Sequence, residues 1–504
     1  MSVSRTGIQT LEDLDLLTGT TRAGSWSEPV GEITGLSNDS RKTEPGHVFF
    51  GLPGSLVHGA EFVPYAARMG AAVVVTDADG IAAAEAEMGP LNMPVLVSEN
   101  PRRALARAAS RWYRAQPKNM VAVTGTNGKT SVASFTRQIW EAVGKTAVNL
   151  GTTGVEGAVE RPLGHTTPDS LTLHSMLADL TGEGITHGAM EASSHGLAQS
   201  RLDGVHLSAA GFTNITRDHL DYHASFEEYL NAKALLFTRL LPKEGVAVVN
   251  VDVDHGPHVA EAAERRGIEV LRVGRTPDCA LRIVGTRFDG SGQDLRFSLQ
   301  GKDHVVRLNL IGGFQAENAL IAGGLALATG VSAHDLPGAM ERLSGVRGRM
   351  QEVARRDNGA PVFVDYAHTP DALKTALRAL RPHVLGRLVV VFGAGGDRDP
   401  GKRPLMGEAV AQYGDVAFVT DDNPRSEDPA LIRRAVLSAI PQATEIGDRA
   451  EAILSGVDAL QPGDALLIAG KGHETGQEID GTVLPFDDAE QASIAVAALE
   501  GRMP

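Results

Sequence analysis

A short apolar segment, a glycine-rich turn and an amphipathic helical pattern follow each other in the middle of this 504-residue chain. The apolar segment is Met120-Val121-Ala122-Val123, and apolar residues recur at helical spacing between Val132 and Val143. Strand, turn and helix in this order open a parallel α/β unit. The turn lies where the N-terminus of a helix can bind a phosphate group. The sequence therefore predicts an α/β fold with a phosphate-binding loop.

The residues of this turn suit a nucleotide phosphate. The turn reads Thr124-Gly125-Thr126-Asn127-Gly128-Lys129-Thr130-Ser131. Its glycines let backbone N–H groups point at an anion, Lys129 can reach the β- and γ-phosphates, and the Thr130 hydroxyl can ligate Mg²⁺. The general pattern G-x-x-x-x-G-K-[ST] requires glycine at position 123, where the chain has valine, so that pattern matches only from Gly128 onward. An ordinary glycine-rich turn is the alternative, and the flanking strand and helix disfavour it.

Composition excludes several classes of protein. Hydrophobic residues make up 42% and charged residues 22%, which argues against wholesale disorder. The net charge of −15 argues against a generally basic nucleic-acid binder. Cys279 is the one cysteine, which excludes an internal disulfide and a cysteine-rich metal site, and we expect it to be a small buried or half-buried residue. No apolar run approaches the roughly 18 residues of a membrane span, and the first 19 residues lack signal-peptide features. We therefore expect a cytoplasmic protein.

The strand and helix signals divide the chain into three predicted units, residues 1–117, 118–345 and 346–504. The first is a small α/β module with strands at 48–50 and 71–75 and helical patterns at 62–69 and 101–115. The central unit contains the phosphate loop and a buried parallel strand at 245–250. In the third unit the pattern predicts a Rossmann-like alternation of strands and helices. The predicted strands are at 362–364, 388–392, 416–420 and 465–469, and the predicted helices are at 372–380 and 431–439.

The loop variant T-G-T-N-G-K-T resembles the ATP site of the Mur ligases, which build the peptide of bacterial cell-wall precursors. The same style of loop occurs in folylpolyglutamate synthetases. The resemblance extends over all three units and implies an N-terminal UDP-sugar-binding domain, a central ATP-binding domain and a C-terminal amino-acid-binding domain. It implies ATP contacts at Gly125, Thr126, Asn127, Gly128, Lys129, Thr130 and Ser131.

Three downstream residues suggest a magnesium site beside the ATP. Glu191 follows a predicted strand, where α/β proteins place ligands, and a carboxylate can bind Mg²⁺. Taken alone, Glu191 is typical of a solvated surface group, His219 of a local hydrogen-bonding group and Lys233 of a surface helix lysine. Their segments resemble the E-x-S-S, N-[IV]-T-x-D-H-L-D and lysine motifs of the family. The resemblance implies that Thr130, Glu191, His219 and a CO₂-carbamylated Lys233 hold Mg²⁺. It also implies that Glu191, His219 and Lys233 act in catalysis together with Lys129. Carbamylation would replace a repelling ammonium with an attracting carboxylate.

The resemblance also implies contacts to two substrates, the UDP-sugar peptide and ATP. For the UDP-sugar peptide these are Asn38, Ser40, Thr166, Thr167, Ser193, Gln199 and Arg201, of which Arg201 can pair with a carboxylate or diphosphate. For ATP they are Asn318, Arg349, Asp365 and His368. The last three lie in the third unit and would meet ATP if that unit closes over the central one at a hinge near Gly345. Gln315 stands where the family pattern has asparagine, so no role is carried to it.

The segment Asp422-Asn423-Pro424-Arg425 carries the amino-acid specificity signal. By itself it is an ordinary turn sequence after a strand. It resembles the D-N-P-R signature of the Mur ligases that add meso-diaminopimelate, and lysine-adding relatives lack the arginine. A guanidinium binds a carboxylate with two hydrogen bonds, and diaminopimelate has one carboxylate more than lysine. The resemblance also implies that Arg398 contacts the carboxylate of diaminopimelate, that Glu474 contacts its ammonium group and that Gly470 belongs to the same binding site. The nearby glycines at 393, 395 and 396 do not favour a dinucleotide-binding site. The pattern G-x-G-x-x-G requires glycine at position 398, where this chain has arginine.

The resemblance as a whole implies an ATP- and Mg²⁺-dependent ligase that adds meso-diaminopimelate to UDP-N-acetylmuramoyl-L-alanyl-D-glutamate through an acyl phosphate. We expect a monomer with no nucleic-acid or membrane partner. The alternatives are an L-lysine-adding Mur ligase and, more remotely, a folylpolyglutamate synthetase, which the D-N-P-R segment and the N-terminal unit disfavour. A non-catalytic nucleotide-binding regulator is disfavoured because Glu191, His219 and Lys233 are all present.

Overall fold

The computed structural model describes residues 9–26, 30–54, 56–216 and 222–502. Over these ranges the chain forms sheets of five, ten and six strands and one two-stranded hairpin. Helices pack on mostly parallel strands, which confirms the predicted α/β class. Each of the three larger sheets lies inside one of the predicted units, and the dividing points at 117 and 345 stay predictions.

The N-terminal sheet has the order β1-β5-β4-β3-β2, and β1 is antiparallel to its neighbour. Its strands are β1 (Thr20–Gly24), β2 (Gly35–Ser37), β3 (His47–Phe50), β4 (Val73–Thr76) and β5 (Pro94–Ser98). Its helices are α1 (Val63–Arg68), α2 (Ala78–Met88) and α3 (Pro101–Tyr113). The valines of β4 are fully buried because helices cover both faces of this parallel strand.

The central sheet has the order β15-β14-β13-β12-β11-β10-β6-β9-β7-β8. Its strands are β6 (Asn119–Thr124), β7 (Ala147–Gly151), β8 (Gly154–Gly157), β9 (His187–Glu191), β10 (Leu207–Phe212), β11 (Val246–Asn250), β12 (Glu269–Gly274), β13 (Leu281–Asp289), β14 (Gly292–Leu299) and β15 (Lys302–Leu308). Its helices are α4 (Lys129–Ala142), α5 (Ser170–Gly182), α6 (Ser194–Ala198), α7 (Phe226–Leu235), α8 (Gly256–Arg265), α9 (Phe314–Ala328) and α10 (Leu336–Met340).

The C-terminal sheet has the order β16-β17-β21-β18-β19-β20. Its strands are β16 (Gln351–Arg355), β17 (Pro361–Asp365), β18 (Leu388–Phe392), β19 (Val416–Val419), β20 (Thr444–Glu445) and β21 (Ala465–Ala469), and β22 (Gly476–Ile479) and β23 (Thr482–Pro485) form the separate hairpin. Its helices are α11 (Pro370–Leu380), α12 (Lys402–Tyr413), α13 (Pro429–Leu437), α14 (Arg449–Asp458) and α15 (Asp488–Leu499).

The parallel strands follow the sequence prediction closely, whereas the antiparallel additions were not predicted. The predicted strands at 245–250, 388–392 and 465–469 are confirmed as β11, β18 and β21. The meander β13–β15, the antiparallel edge strand β16 and the hairpin β22–β23 were missed. These strands carry many exposed or half-buried residues, so their hydrophobic runs are weak.

Two further observations concern the chain as a whole. Cys279 is a free, buried thiol, as predicted. Within the described residues, no helix is both long enough and apolar enough to cross a membrane.

A fully buried ion pair joins the last two helices. Arg449 opens α14 and Asp488 opens α15, and two hydrogen bonds of 2.7 Å connect the guanidinium to the carboxylate. Both side chains are completely buried. Arg449 also donates to the Ala469 carbonyl at the end of β21. The pair therefore ties both helices to the edge of the C-terminal sheet where the D-N-P-R segment Asp422–Arg425 begins.

Breaking this pair should destabilise the C-terminal unit. Arg449→Met leaves the Asp488 carboxylate buried without its partner, which typically costs about 3–5 kcal/mol. Arg355→Met, which removes an exposed ion pair to Glu352, should cost at most about 1 kcal/mol. Urea denaturation followed by circular dichroism measures the free energy of unfolding of each variant. Equal unfolding midpoints for the two variants would contradict this assignment.

Candidate functional site

The phosphate loop joins the central strand β6 to helix α4. Gly125 has φ 151° and Gly128 has φ 86°, conformations that favour glycine. A Cβ atom at Gly125 would lie 1.9 Å from the Thr213 hydroxyl, and one at Gly128 would lie 2.6 Å from the Asn318 side-chain oxygen. Both glycines are therefore required by the backbone and by their neighbours, and the loop leads into the N-terminus of α4 as predicted.

The loop is held by the segment that follows β10. The Asn127 N–H donates to the Asn214 side-chain oxygen at 3.0 Å, and the Asn214 amide donates back to the Asn127 carbonyl at 3.2 Å. The Thr213 hydroxyl donates to the same carbonyl at 2.6 Å. The Lys129 ammonium folds over the loop and donates to the carbonyls of Gly125 and Thr126, both at 2.9 Å. Asn214 stood inside a family motif, yet sequence reasoning assigned it no role.

A cavity of about 520 Å³ opens at the phosphate loop. It brings together residues that the sequence predicted for ATP, for Mg²⁺ and for the acceptor peptide. The predicted residues among those lining it are Thr126, Asn127, Gly128, Lys129, Thr130, Ser131, Thr166, Thr167, Glu191, Ser193, Arg201, Lys233, Arg349, Asp365 and His368. The cavity therefore spans the central and C-terminal units.

Glu191 and Lys233 are buried beside the loop. Glu191 ends β9, and its carboxylate accepts hydrogen bonds from the N–H and the hydroxyl of Thr152 at 2.8 and 3.2 Å. Lys233 on α7 is 1% exposed, donates to the Gly125 carbonyl at 2.7 Å and lies 4.6 Å from the centre of the Tyr229 ring. Judged by residue type alone, Glu191 and Lys233 looked like surface groups, and that interpretation is wrong for both.

The structure describes only some of the residues that were predicted to bind Mg²⁺. His219 lies outside the described residues. Among the residues that the structure describes, no three His, Cys, Asp or Glu side chains cluster as a self-contained metal site. Thr130 and Glu191 nevertheless offer oxygen ligands to one cavity. Mg²⁺ commonly uses one or two carboxylates together with substrate phosphates, so these residues fit a magnesium–nucleotide complex.

The residues predicted for the acceptor peptide form a connected group. The Thr167 hydroxyl donates to the Glu191 carbonyl at 3.0 Å and accepts from the Ser193 N–H at 3.1 Å. Arg201 donates to the Thr167 carbonyl at 2.6 Å and to the Gln199 side-chain oxygen at 2.8 Å. Burial lowers the pKa of the Arg201 guanidinium. This is a cation in a poorly hydrated position at the cavity wall.

Some acceptor residues have structural contacts or lie apart from the cavity. The Ser193 hydroxyl caps α6 by accepting from the Gly196 N–H at 3.0 Å. Gln199 contacts Arg201 but does not line the cavity. In the N-terminal unit Asn38 is exposed and Ser40 is buried, and neither lines the cavity. The structure therefore does not bring Asn38 and Ser40 together with the phosphate loop.

A second cavity of about 300 Å³ lies on the other side of the loop. Its lining includes Asn127, Phe314, Asn318, Arg349 and Asp365. Asn318 is buried, and its amide donates to the Gln315 side-chain oxygen at 3.0 Å. Gln315, the residue that departs from the family pattern, therefore orients the Asn318 side chain directly. This cavity suits the nucleoside end of a nucleotide whose phosphates lie on the loop.

Residues of the C-terminal unit already meet the loop. Arg349 donates to the Thr130 hydroxyl at 3.3 Å. The Asp365 carboxylate accepts from the N–H groups of Met350 and Ala367 at 2.6 and 2.9 Å, and desolvation raises its pKa. The His368 ring is hydrogen-bonded to the Tyr366 carbonyl through Nδ1 at 2.8 Å. Arg349, Asp365 and His368 all line the first cavity in this arrangement of the units.

The D-N-P-R segment follows β19 and packs against the segment after β21. The Asn423 amide donates to Glu474 at 2.9 Å, and the fully buried Lys471 donates to the Asn423 side-chain oxygen at 2.8 Å. Asp422 is buried, and its Oδ2 has no hydrogen-bond partner among the described residues. A Cβ at Gly470 would lie 2.3 Å from that oxygen, so Gly470 makes room for the Asp422 carboxylate.

The two predicted carboxylate-binding arginines both lie beside Gly395. A Cβ at Gly395 would lie 3.0 Å from Nη1 of Arg425 and 4.0 Å from Cγ of Arg398. Arg425 has φ 53°, and its guanidinium donates to Glu478 at 3.1 Å and to the Gly396 carbonyl at 2.8 Å. Arg398 is exposed. The Pro424 carbonyl packs so closely on Gly396 that a Cβ there would lie 1.9 Å away.

Sequence reasoning missed Tyr366, Lys471 and Glu478, which touch the predicted site residues. Tyr366 and Lys471 stand inside the motifs that carried the resemblance, so their position was a usable signal. Glu478 lies on the unpredicted hairpin and had no local signal.

Family models of known proteins match three segments of this chain. The family models described as "Mur ligase family, catalytic domain", "Mur ligase middle domain" and "Mur ligase, glutamate ligase domain" match residues 32–113, 123–326 and 348–472. The UDP-N-acetylmuramoyl-L-alanyl-D-glutamate–2,6-diaminopimelate ligase of Bradyrhizobium diazoefficiens is 50% identical over 473 residues, which cover 93% of this chain and 95% of the relative.

Solved structures share the fold. A structure of a UDP-N-acetylmuramoyl-L-alanyl-D-glutamate–2,6-diaminopimelate ligase superposes with a TM-score of 0.71 at 33% identity, covering 98% of this chain and 100% of the other. A Mycobacterium tuberculosis folylpolyglutamate synthase superposes with a TM-score of 0.60 at 18% identity, covering 80% and 95%, and shares the fold alone. From the matches along its length and its half-identical relative, the chain belongs to the Mur ligase family.

Proposed function

We propose that this chain is an ATP-dependent ligase that joins meso-diaminopimelate to UDP-N-acetylmuramoyl-L-alanyl-D-glutamate and releases ADP and phosphate. The observation that carries the proposal is the single cavity in which the phosphate-loop Lys129, the buried Glu191 and Lys233, and the acceptor-side Arg201 meet. An enzyme that activates a carboxylate with ATP needs these groups around one reacting carboxylate.

In the first step, the D-glutamate side-chain carboxylate attacks the γ-phosphorus of ATP, and the bond to the β-phosphate oxygen breaks. The products are an acyl phosphate and ADP. Lys129 exchanges its carbonyl partners for phosphate oxygens and offsets the charge that shifts during transfer. Arg201, held at the cavity wall by Thr167, pairs with an anionic group of the acceptor and orients it.

In the second step, the amine of the amino acid attacks the acyl carbon and phosphate leaves through a tetrahedral intermediate. Phosphorylation is needed because a free carboxylate is a poor electrophile. The acyl phosphate is sensitive to water, and the C-terminal residues Arg349 and His368 at the cavity help to cover it. The same position of the C-terminal unit would bring the D-N-P-R segment towards the acyl carbon.

Magnesium belongs to this proposal through the residues that would hold it. Thr130 and Glu191 would bind Mg²⁺, together with His219 and a carbamylated Lys233. Bound Mg²⁺ supplies positive charge that offsets the β- and γ-phosphates. Thr152 orients the Glu191 carboxylate by two hydrogen bonds, so that its remaining lone pairs can face the cavity.

Charges of both signs suit the distal end of diaminopimelate, which carries a carboxylate and an ammonium group. Arg398 and Arg425 both lie beside Gly395 and would bind the carboxylate. Glu474 and the buried Asp422, whose Oδ2 lacks a partner among the described residues, would bind the ammonium group. L-Lysine has the ammonium without the carboxylate, so the arginines would decide between the two amino acids.

Asn38 and Ser40 are proposed as contacts to the uridine nucleotide, together with Thr166, Thr167 and Ser193 on the peptide side. The predicted units 1–117, 118–345 and 346–504 would bind the UDP-sugar, ATP and the amino acid, respectively. A cytoplasmic location and a monomeric state stay predictions from the sequence.

One assay tests the function directly. Phosphate release from ATP is measured with the UDP-muramoyl dipeptide and a panel of diamino acids. Release that depends on both the dipeptide and meso-diaminopimelate is expected. Release that depends on L-lysine instead would support a lysine-adding ligase, and release with a folylpolyglutamate acceptor and L-glutamate would support the remaining alternative.

Removing the phosphate-loop lysine should abolish ligation without unfolding the protein. The Lys129 ammonium donates to two loop carbonyls, so Lys129→Ala should keep the wild-type circular dichroism spectrum. Lys302→Ala, an exposed lysine on β15, is the matched control and should keep full activity. Near-wild-type turnover by a folded Lys129→Ala protein would count against the phosphate-loop assignment.

Lys233 should carry a carbamate, because the negative carbamate attracts Mg²⁺ whereas an ammonium repels it. Lys233→Ala should lose activity, and added acetate or bicarbonate should restore part of it. Carbon-13 NMR of wild type in labelled bicarbonate should show a carbamate signal that Lys233→Ala lacks and the exposed control Lys243→Ala retains. A fully active wild type without that signal would refute carbamylation.

Arg425→Ala should weaken diaminopimelate binding selectively. Losing one partner of a charged, partly desolvated pair costs about 2–5 kcal/mol, so the KM for diaminopimelate should rise roughly thirtyfold or more. The KM values for ATP and the dipeptide should barely change, and exposed Arg434→Ala is the control. Steady-state kinetics with diaminopimelate and L-lysine provide the test.

Two results would correct this assignment. Arg425 also bonds Glu478 and the Gly396 carbonyl, so equal losses for L-lysine and diaminopimelate would show that it shapes the loop rather than reading the carboxylate. Efficient use of L-lysine by wild type would overturn the amino-acid specificity and leave the ligase assignment standing.

A further inference from the structure

The second cavity beside the phosphate loop has one wall from the central unit and one from the C-terminal unit. Phe314 and Asn318 of α9 line it on the central side, and Ala372 and Thr375 of α11 line it on the C-terminal side. The cavity keeps its shape only while these two helices keep their spacing. The contacts that hold α11 against the start of α9 therefore control how well a nucleoside fits.

The segment that leads into α9 is packed against the last turn of α11. Ile311 is buried in the same apolar cluster as Leu377 and Leu380 of α11. The next residue, Gly312, has φ 102°, and a Cβ there would lie 3.4 Å from the Ala379 Cβ. The end of one cavity-lining helix therefore touches the segment that begins the other.

His383, three residues after the end of α11, hydrogen-bonds to two segments of the central unit. It is buried at the end of the short helical turn Arg381–His383. Its Nε2 accepts from the Gly312 N–H at 3.1 Å, and its Nδ1 donates to the Asp289 carbonyl at the end of β13 at 2.6 Å. The Phe288 ring packs edge-on against the imidazole, with 5.1 Å between the ring centres. One side chain thus ties the end of α11 to the start of α9 and to the central meander.

These two hydrogen bonds require a neutral imidazole with its proton on Nδ1. A carbonyl oxygen can only accept, so Nδ1 must donate to Asp289, and the Gly312 N–H needs the lone pair of Nε2. Burial lowers the pKa of His383 below its usual value of 6.5. The Asp289 carbonyl and carboxylate oppose this effect, and Arg307, the ion-pair partner of Asp289, adds to it. A proton on Nε2 would remove the acceptor of the Gly312 N–H.

We propose that His383 is a positioning residue for the nucleotide, because it holds α11 against the start of α9 and so keeps both walls of the nucleoside cavity in place. The inference rests on the proposed function, which supplies ATP as the ligand. The docked arrangement of the two units offers both walls and so binds the nucleotide more tightly than an undocked one. Docking and nucleotide binding are then linked, and each favours the other by the same factor.

Removing the histidine should weaken nucleotide binding. His383→Leu deletes both hydrogen bonds and keeps an apolar side chain, so the Kd of a non-hydrolysable ATP analogue, measured by calorimetry, should rise roughly tenfold. His383→Gln places an amide oxygen where Nε2 can accept from the Gly312 N–H, and it should recover part of the loss. His334→Leu, which replaces a histidine that is 95% exposed, is the matched control and should bind the analogue as wild type does.

Proton release supplies a readout that a purely structural role would not change. At about pH 6 most undocked His383 rings would carry a proton, and nucleotide binding that favours docking must release it. Calorimetry in two buffers with different enthalpies of ionisation measures the protons released per analogue bound. Wild type and His334→Leu should release more protons than His383→Gln at about pH 6. The difference should vanish at about pH 8, where the ring is neutral in both arrangements.

The outcomes separate this inference from the proposed function. Unchanged analogue affinity in a His383→Leu protein that thermal unfolding shows to be folded would overturn the inference alone. Equal proton release by wild type and His383→Gln at about pH 6 would also overturn it, and this comparison holds even where His383→Leu does not fold. A wild type that binds the analogue but releases no phosphate with diaminopimelate would reject the proposed function and leave the role of His383 standing. A wild type that does not bind the analogue would reject both.

Discussion

The Gly125 carbonyl oxygen accepts hydrogen bonds from two lysine ammonium groups, Lys129 at 2.9 Å and Lys233 at 2.7 Å. Two like charges at one oxygen repel each other, and the repulsion is strong where little water screens it. An anion on the loop or conversion of one lysine to a carbamate relieves it. The chemistry proposed for this cavity supplies both, since a nucleotide phosphate would take Lys129 and carbamylation would change the charge of Lys233.

The central sheet places these groups at one edge. Strand β6 lies between β9 and β10, and all three run parallel. Their carboxyl ends deliver the phosphate loop, Glu191 and the Thr213–Asn214 segment to the same place, where α/β folds bind ligands. Close approaches at Gly125 and Gly128 then fit the loop against its neighbours. The parallel order of the strands is thus the physical basis of the site.

The C-terminal unit completes the site with a second set of close contacts. Gly470, Gly472 and Gly348 allow its loops to approach within distances that a side chain would block. The buried pair Arg449–Asp488 anchors the helices behind these loops. The proposed amino-acid and nucleotide contacts of this unit therefore depend on one tightly packed junction.

The sequence by itself determined the α/β class, the parallel strands, the phosphate loop and most of the side chains that line its cavity, because strand and helix periodicity and the motifs are local properties of the chain. Tertiary structure alone decided that Lys233 is buried, that Lys471 and Glu478 support the D-N-P-R segment and that the Tyr366 ring contacts Arg349. It also decided the antiparallel meander and hairpin. These features arise from contacts between segments far apart in sequence, whose burial and partners no local pattern records.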